Sequence, residues 1–411
     1  MKINLMRKLD AWLGVPLCAA ATVAVWVGRL FGRGDRGAHS RLLIIKLSEL
    51  GANVMLGDMV RASRRVYSRE NTWFMAFAES GEILRVMDFV PPENLLLVPT
   101  KSLPQFAIGL ARAIWRARRA GVDTALDLEF FSRCTALISW LSGARRRVGI
   151  HAFFGEGSWR GQLMTHRVKY NPHLHISRMM RSLGEAMFMP GEELQRMDFA
   201  PPPEGRIQDR FRPTAGELAA VEKLLVSSGW NAGERIVLLN ANTSDRELIP
   251  LRRWSEERYA EVARRVLEEF PDVRVVLTGS PREVADVGAL ERRVGSPRCV
   301  SFAGKTSFRE LLTLYTQAAL MVTNDSGPGH FAALTDMAIV VLVGPESPQL
   351  WRPLGRDVRV VYRGLACSPC FSVYNGRTSG CVRNICMDIS PDEVMRHVRE
   401  LLREPNLSKQ P

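Results

Sequence analysis

A chain of 411 residues with 46% hydrophobic and 24% charged residues is too long for one ordinary core. It excludes a disordered or fibrous polymer and accommodates two α/β domains. The formal net charge of +13 favours anionic company (nucleic acid, an acidic membrane surface or a phosphorylated substrate) without choosing among them. Seven cysteines in this length exclude a disulfide scaffold.

Residues 1–36 differ from the rest. Residues 11–28 (AWLGVPLCAAATVAVWVG) carry no charge, and Lys2, Arg7, Lys8, Arg29, Arg33 and Arg36 flank them. The run is just long enough to cross a bilayer as a helix. Three readings stay open. One is a cleaved signal peptide, because the alanines offer small-residue cleavage sites. The second is a spanning anchor. The third is a helix or hairpin in the interface plane, because Gly14 and Pro16 weaken a continuous span and both flanks are basic. The segment is expected to associate with a membrane.

Residues 41–46 (RLLIIK) read as a buried parallel strand, followed by the loop 47–51 (LSELG) and a helix from Asn53. Further strands are expected at 72–76, 94–98, 124–128 and 147–150, with helices at 103–120 and 132–141. Strands alternating with helices imply βαβ units and a mainly parallel sheet, here an N-terminal Rossmann-like domain over 40–203. The run Ala200-Pro-Pro-Pro-Glu-Gly205 breaks the pattern and marks a boundary.

A second domain over 208–405 restarts the alternation. Its strands are expected at 235–240, 273–279, 299–302, 320–323 and 339–343. Its helices are expected at 254–270, from 282, at 307–318 and at 329–334. The expected class is therefore α/β, two doubly wound Rossmann-like domains with a facing interdomain cleft. Ligands in such sheets sit at the carboxyl ends of strands. That puts the chemistry near Ser48, Asn242, Gly279, Asp325 and Gly344.

The strongest chemical signal is Val322-Thr-Asn-Asp-Ser-Gly-Pro-Gly-His330. A strand is expected to end at Thr323, Asp325 and Ser326 to cap the next helix, and Gly327 to admit an anion close to backbone N–H groups. A capped turn of this kind occurs throughout the class. His330 and the second Gly-rich loop, Val343-Gly-Pro-Glu-Ser-Pro348, point instead to a pyrophosphate.

These two segments resemble the donor-site signature of glycosyltransferase family 9, the lipopolysaccharide heptosyltransferases. The likeness extends to Leu251-Arg-Arg-Trp-Ser-Glu-Glu-Arg-Tyr259, Phe302-Ala-Gly-Lys-Thr-Ser-Phe-Arg-Glu-Leu311, residues 41–51 and Tyr170-Asn-Pro-His-Leu-His175. It implies a GT-B fold, an ADP-sugar donor, inversion at the anomeric carbon and no metal in catalysis. On the matching positions, Asp325, Ser326, Gly327, His330 and Arg252 would border the donor phosphates, with Arg252 in place of the family's lysine. Glu283 would accept hydrogen bonds from the ribose. Asn242 and Gly279 lie on neighbouring strand-end loops, and Thr243 and Ser244 would add hydroxyl donors.

One departure stands out. The family's first loop ends in Gly-Asp, and that aspartate is its proposed general base; here the sequence is Gly51-Ala52-Asn53. Glu49 is the replacement base in this reading, and a site without catalysis is the alternative. Asp58, further along, is expected to face solvent or an arginine.

Cys367, Cys370, Cys381 and Cys386 have spacings compatible with a structural zinc, with a reversible disulfide or with plain thiols. The basic residues Arg112, Arg116, Arg118, Arg119 and Arg145 to Arg147 suit anionic head groups. No aromatic-interleaved basic motif supports nucleic-acid binding.

The expected activity is transfer of heptose, or a related sugar, from an ADP-sugar to a lipid-linked or core oligosaccharide acceptor. The expected place is the cytoplasmic face of the inner membrane, reached through the N-terminal segment. A nucleotide-sugar-binding protein without turnover is the competing class, and a protein or capsular polymer is a competing acceptor.

Overall fold

Runs of Leu, Ile and Val too short for helices become strands here, because only a sheet covered on both faces buries an uninterrupted apolar run. The computed structural model describes residues 3–30, 39–191, 207, 209–243 and 250–403. It divides into two compact units, Met1–Glu204 with Val373–Asn375, and Gly205–Ser372 with Gly376–Pro411.

The first unit opens with helices α1 (Ile3–Trp12) and α2 (Gly14–Leu30). It continues through β1 (Leu42–Ile45), α3 (Gly57–Ser63), β2 (Thr72–Phe77), α4 (Gly81–Met87), β3 (Leu95–Val98), α5 (Leu103–Arg119), β4 (Thr124–Asp127) and α6 (Arg133–Leu141). It closes with β5 (Arg146–His151), β6 (His166–Lys169) and α7 (Ile176–Ala186). All pairings are parallel, in the order β3-β2-β1-β4-β5-β6.

The second unit contains α8 (Ala215–Ser227), β7 (Arg235–Asn240), α9 (Glu256–Glu269), β8 (Val273–Leu277), α10 (Val284–Val294), β9 (Cys299–Ser301) and α11 (Phe308–Gln317). Then follow β10 (Ala318–Asn324), α12 (Gly327–Ala332), β11 (Ala338–Val343), α13 (Pro348–Trp351), β12 (Val358–Tyr362) and α14 (Pro391–Arg403). Its sheet is also parallel, in the order β12-β11-β10-β7-β8-β9.

In each sheet the strand order reverses once, between β1 and β4 and between β10 and β7. Crevices at the carboxyl ends of strands open at such switch points. They decide where the chemistry sits.

The sequence-expected strands and helices of both halves form, with ends shifted by a residue or two. Helix α9 starts at Glu256, not Trp254, because the Ser255 hydroxyl accepts from the Arg258 N–H at 3.3 Å and caps it. The helix expected from Asn53 is instead a buried 3-10 turn over Leu50–Leu56, followed by α3. Strand β6 has no apolar run to announce it, since it lies at the edge of its sheet and buries only alternate residues. The boundary at 200–205 lies outside the described residues.

One expectation about charge changes. Arg147 is buried and donates to the carbonyls of Leu163 and Ala144, so it serves the fold and not a surface patch. Helix α2 packs its small residues onto the unit: Cys18, Ala21 and Val25 lie in one cluster with Ala136, Leu163 and Met164. No single described helix is long and apolar enough to cross a membrane. The pair Met6–Trp12 and Gly14–Gly28, bent by 46°, passes by length and composition only.

Beneath β4 lies a buried ion pair. Arg160 Nη1 is 2.8 Å from Asp127 Oδ2, with both side chains essentially inaccessible. Burial pushes the Asp127 carboxyl up, and the Arg160 guanidinium opposes that shift. Removing one partner strands the other charge. We expect Arg160→Ala to cost about 3–5 kcal/mol of unfolding free energy in urea titrations, with Asp127→Asn added to it recovering part of the loss. A change below about 1 kcal/mol would show that the pair is not held as described.

Candidate functional site

At the switch point of the second sheet, β7 ends in Asn240 and β10 in Asn324, and their amides lash the loops together. Asn240 Nδ2 donates to Thr278 Oγ1 at 3.0 Å. Asn324 Nδ2 donates to the Ala241 carbonyl at 2.9 Å, and Asn324 Oδ1 accepts from the Trp254 N–H at 3.0 Å. Trp254 is buried, packs edge-on to Tyr259 and donates from its indole to the Ile389 carbonyl at 3.0 Å. With Trp254 fixed on one side, Arg252 two residues earlier is delivered to the strand ends.

The Arg252 guanidinium sits between two carboxylates, 2.7 Å from Glu346 Oε2 and 3.5 Å from Asp325 Oδ2, and over the Phe371 ring. Arg377 reaches the same Glu346 oxygen at 3.5 Å. Burial pushes the Glu346 carboxyl up, while Arg377 and Arg252 pull it down. Among the described residues, Arg252 Nε, Asp325 Oδ2 and Thr243 Oγ1 are buried polar atoms with no hydrogen-bond partner. Such atoms converging on strand ends suit a polar ligand.

The structure thus brings Asp325, Arg252, Thr243, Ser326, Gly327 and buried His330 to one end of the sheet. Several details differ from expectation. Ser326 occupies the N-cap position of α12 but its side chain makes no cap; its hydroxyl bonds the Asn324 carbonyl at 3.3 Å. Asp325 faces Arg252 and does not cap the helix either. Glu283 reaches back to the Ser280 N–H at 2.7 Å in a capping box, which engages one of its two carboxylate oxygens. Gly279 is small for packing: a Cβ there would meet Val287 at 2.9 Å and Asn242 at 3.0 Å. Ser244 lies outside the described residues. Sequence reasoning missed Glu346, Asn240 and Asn324.

At the other switch point, the first unit collects a second set. Lys46 follows β1 and is fully buried, with its Nζ 3.0 Å from Glu49 Oε2 and 3.3 Å from Glu129 Oε1. Glu129, after β4, also accepts from the Ser48 N–H at 2.7 Å and the Ser48 hydroxyl at 3.0 Å. Glu49 lies in the left-handed region at φ 65°, a conformation costly for a residue with a Cβ and common at functional sites. Both amide atoms of fully buried Asn53 lack a hydrogen-bond partner among the described residues. Asp58 pairs with Arg61, away from this set. Lys46, Glu129 and Asn53 were not foreseen; the Lys-x-Ser-Glu spacing around the first turn was the available signal.

Of the three alternatives left open for the four clustered cysteines, the structure gives no support to a structural zinc. None of the four is in a disulfide; Cys367 and Cys381 are exposed, Cys370 is half-buried and Cys386 is buried. Among the described residues no group of three or more His, Cys, Asp or Glu side chains could hold a metal ion. Cys386 is drawn into the core of the second unit beside Met387 and Ile389, and its burial pushes the thiol up. The neighbouring thiols of Cys370, Cys381 and Cys367 raise it further.

Two parallel six-stranded sheets, each with its strand-end site, define the GT-B architecture. The chain belongs to glycosyltransferase family 9 (heptosyltransferase), whose sequence model matches residues 111–377. It is 31% identical over 161 residues to lipopolysaccharide heptosyltransferase 2 of Salmonella typhimurium. It is 32% identical over 161 residues to lipooligosaccharide heptosyltransferase 2 of Haemophilus influenzae. Each match covers 38% of this chain and 45% of the relative, so the chain spans less than half the length of these relatives.

Solved structures share the fold over more of the chain. Escherichia coli ADP-heptose lipopolysaccharide heptosyltransferase II gives a TM-score of 0.63 at 22% identity, covering 88% of this chain and 98% of that one. A family 9 glycosyltransferase from Veillonella parvula gives 0.68 at 18% identity, covering 90% and 100%.

Because its carboxyl is raised by burial, Glu346 favours folding at low pH and opposes it as pH rises through its folded value. Arg252→Met removes a compensating cation, so we expect that variant to lose about 2–4 kcal/mol at pH 8 and less at pH 5, read as urea midpoints. Adding Glu346→Gln should flatten the pH dependence. A loss equal at both pH values would rule out this reading of the ion pair.

Proposed function

We propose that this protein is an inverting glycosyltransferase that moves a heptose from an ADP-heptose donor to a lipopolysaccharide core or related lipid-linked glycan. The observation that supports the donor assignment is the convergence of Arg252, Asp325 and Thr243 at the β7 and β10 ends, where Arg252 Nε and Asp325 Oδ2 face each other at 3.5 Å and the buried Thr243 hydroxyl has no hydrogen-bond partner among the described residues. Family membership supports the same reading.

Electrostatics divides the roles. Arg252 is the cation for a diphosphate, and a guanidinium grips phosphate oxygens in pairs. The amides opening α12 add donors, except at Pro328, which has no N–H. Asp325 and Glu346 are anions and would repel phosphate. They orient Arg252, and Asp325 also accepts from a sugar or ribose hydroxyl.

In the first unit, Glu49 takes the proton from the acceptor hydroxyl. The acceptor oxygen attacks the anomeric carbon from the face opposite the nucleotide, the bond to the diphosphate breaks, and ADP departs with the electron pair. Lys46 and Ser48 fix the neighbouring Glu129, and Lys46 also holds Glu49 in place.

Incubation with ADP-heptose and a heptose-deficient core acceptor tests the activity. We expect Glu49→Gln to lower kcat by about 10²–10⁴-fold with little change in donor KM. We expect Arg252→Met to weaken ADP binding in calorimetry by about 10–100-fold, the size of a charge-assisted hydrogen bond. ADP binding without transfer, unaffected by Glu49→Gln, would instead identify a nucleotide-sugar-binding protein, as the replacement of the family's aspartate by Ala52 suggests.

A further inference from the structure

The N-terminal helices α1 and α2 are amphipathic in an uncommon sense: one side is built to fit this protein, and the other fits nothing in it. On the inner side, a Cβ on Gly14 would meet Arg133 at 2.7 Å, and one on Gly161 would collide with Thr22. The Thr22 hydroxyl accepts from the Gln162 N–H at 3.0 Å. Asp10 Oδ1 accepts from the Cys134 N–H at 2.8 Å at the start of α6, and Asp10 Oδ2 is 3.4 Å from Arg133 Nη1. These are close backbone approaches and polar contacts on both helices of the pair. Leaving the body to cross a bilayer would break all of them and strand buried polar groups.

The outer side is apolar and exposed. Trp12 is 82% exposed, Trp26 56% and Leu30 85%, and Leu13, Leu17 and Val23 are each more than half exposed. Exposed Arg7 and Lys8 border it on α1. Helix α5, which packs against the same α6, carries a second stripe. Leu103, Ala107, Ile108, Ala111 and Trp115 are exposed along one face, flanked by exposed Arg112, Arg116 and Arg119. A hollow of about 370 Å³ beside this stripe is lined by Trp73, Glu93, Trp115, Arg116 and Arg119.

Charge completes the pattern. Residues 1–203 hold 28 Lys and Arg against 17 Asp and Glu, so +11 of the chain's net +13 lies there. Apolar residues with tryptophan, rimmed by arginine and lysine, match the boundary between acyl chains and anionic head groups. A second copy of this chain would bring like charges together.

We propose that α1 and α2 stay seated on α6 and form an in-plane docking face for an anionic lipid surface, with α5 contributing arginine and tryptophan, so that the pair embeds without crossing. This rests on geometry and charge in the first unit and is independent of the donor site.

Vesicle flotation of the full chain tests it, using phosphatidylcholine with or without about 30% phosphatidylglycerol. Wild type is expected to float with the anionic vesicles and to be released by raised salt. Leu17→Asn/Val23→Asn/Trp26→Asn should reduce partitioning at least about tenfold with an unchanged melting temperature. Arg112→Gln/Arg116→Gln/Arg119→Gln should remove the preference for anionic lipid. In cells, an epitope tag before Met1 should be digested by protease in inverted membrane vesicles and protected in spheroplasts, as should a C-terminal tag. Tags on opposite sides would overturn the proposal in favour of a span. Indifference to vesicles, or a dimer dissolved by the same triple variant, would also overturn it.

Discussion

The second unit's site depends on keeping one guanidinium in place between two carboxylates. Arg252 touches Glu346 at 2.7 Å and Asp325 at 3.5 Å, and in a dry site such a pair contributes little net stability while costing much if broken. Its position is secured from outside. Trp254 and Asn324 hold the chain on one side. On the other, the segment after β12 straps over the 344–347 loop: the N–H groups of Cys370 and Phe371 both donate to the Pro345 carbonyl. That strap brings Phe371 to Arg252 and Arg377 to Glu346, with Arg377 also stacked over Trp351. The cysteine-bearing region thus acts by carrying these side chains.

The first unit solves a similar problem with opposite signs. There a single buried cation, Lys46, is shared by Glu49 and Glu129. Ser48 fixes Glu129 through its N–H and hydroxyl, and Glu49 is the carboxylate with more solvent access, its side chain 24% exposed against 10% for Glu129. Both clusters sit where strand order reverses, because only there do two adjacent loops turn apart and leave strand ends uncovered. The parallel sheets set the location; the side chains that follow the strands set the chemistry.

Much of this was legible before any coordinates. The apolar runs of β1, β4, β7, β10 and β11 announced buried parallel strands. Asp325 and Arg252, both expected near the donor phosphates, lie 3.5 Å apart at one strand end. Other segments carried local chemistry that the structure makes explicit. Ser280-Pro-Arg-Glu283 carried the Ser-x-x-Glu spacing of a capping box, and Glu283 makes that cap through one carboxylate oxygen. Cysteine spacing left a metal, a disulfide and plain thiols open because spacing says nothing of burial, and the structure buries Cys386 while Cys367 and Cys381 are exposed.

What the amino-acid order settled alone was the alternation of strands and helices, the class of fold and the residue types able to meet a phosphate, since these rest on local periodicity and short-range turn chemistry. Only the tertiary structure decided which charges meet. Glu346 lies 94 residues from Arg252, and Glu129 lies 83 from Lys46, so no local pattern links them. The same holds for the N-terminal helices. Their composition suits a membrane, but the fit of Gly14, Cys18 and Thr22 against distant residues of the same unit is a matter of packing, which depends on three-dimensional neighbours and leaves no periodic trace in the chain.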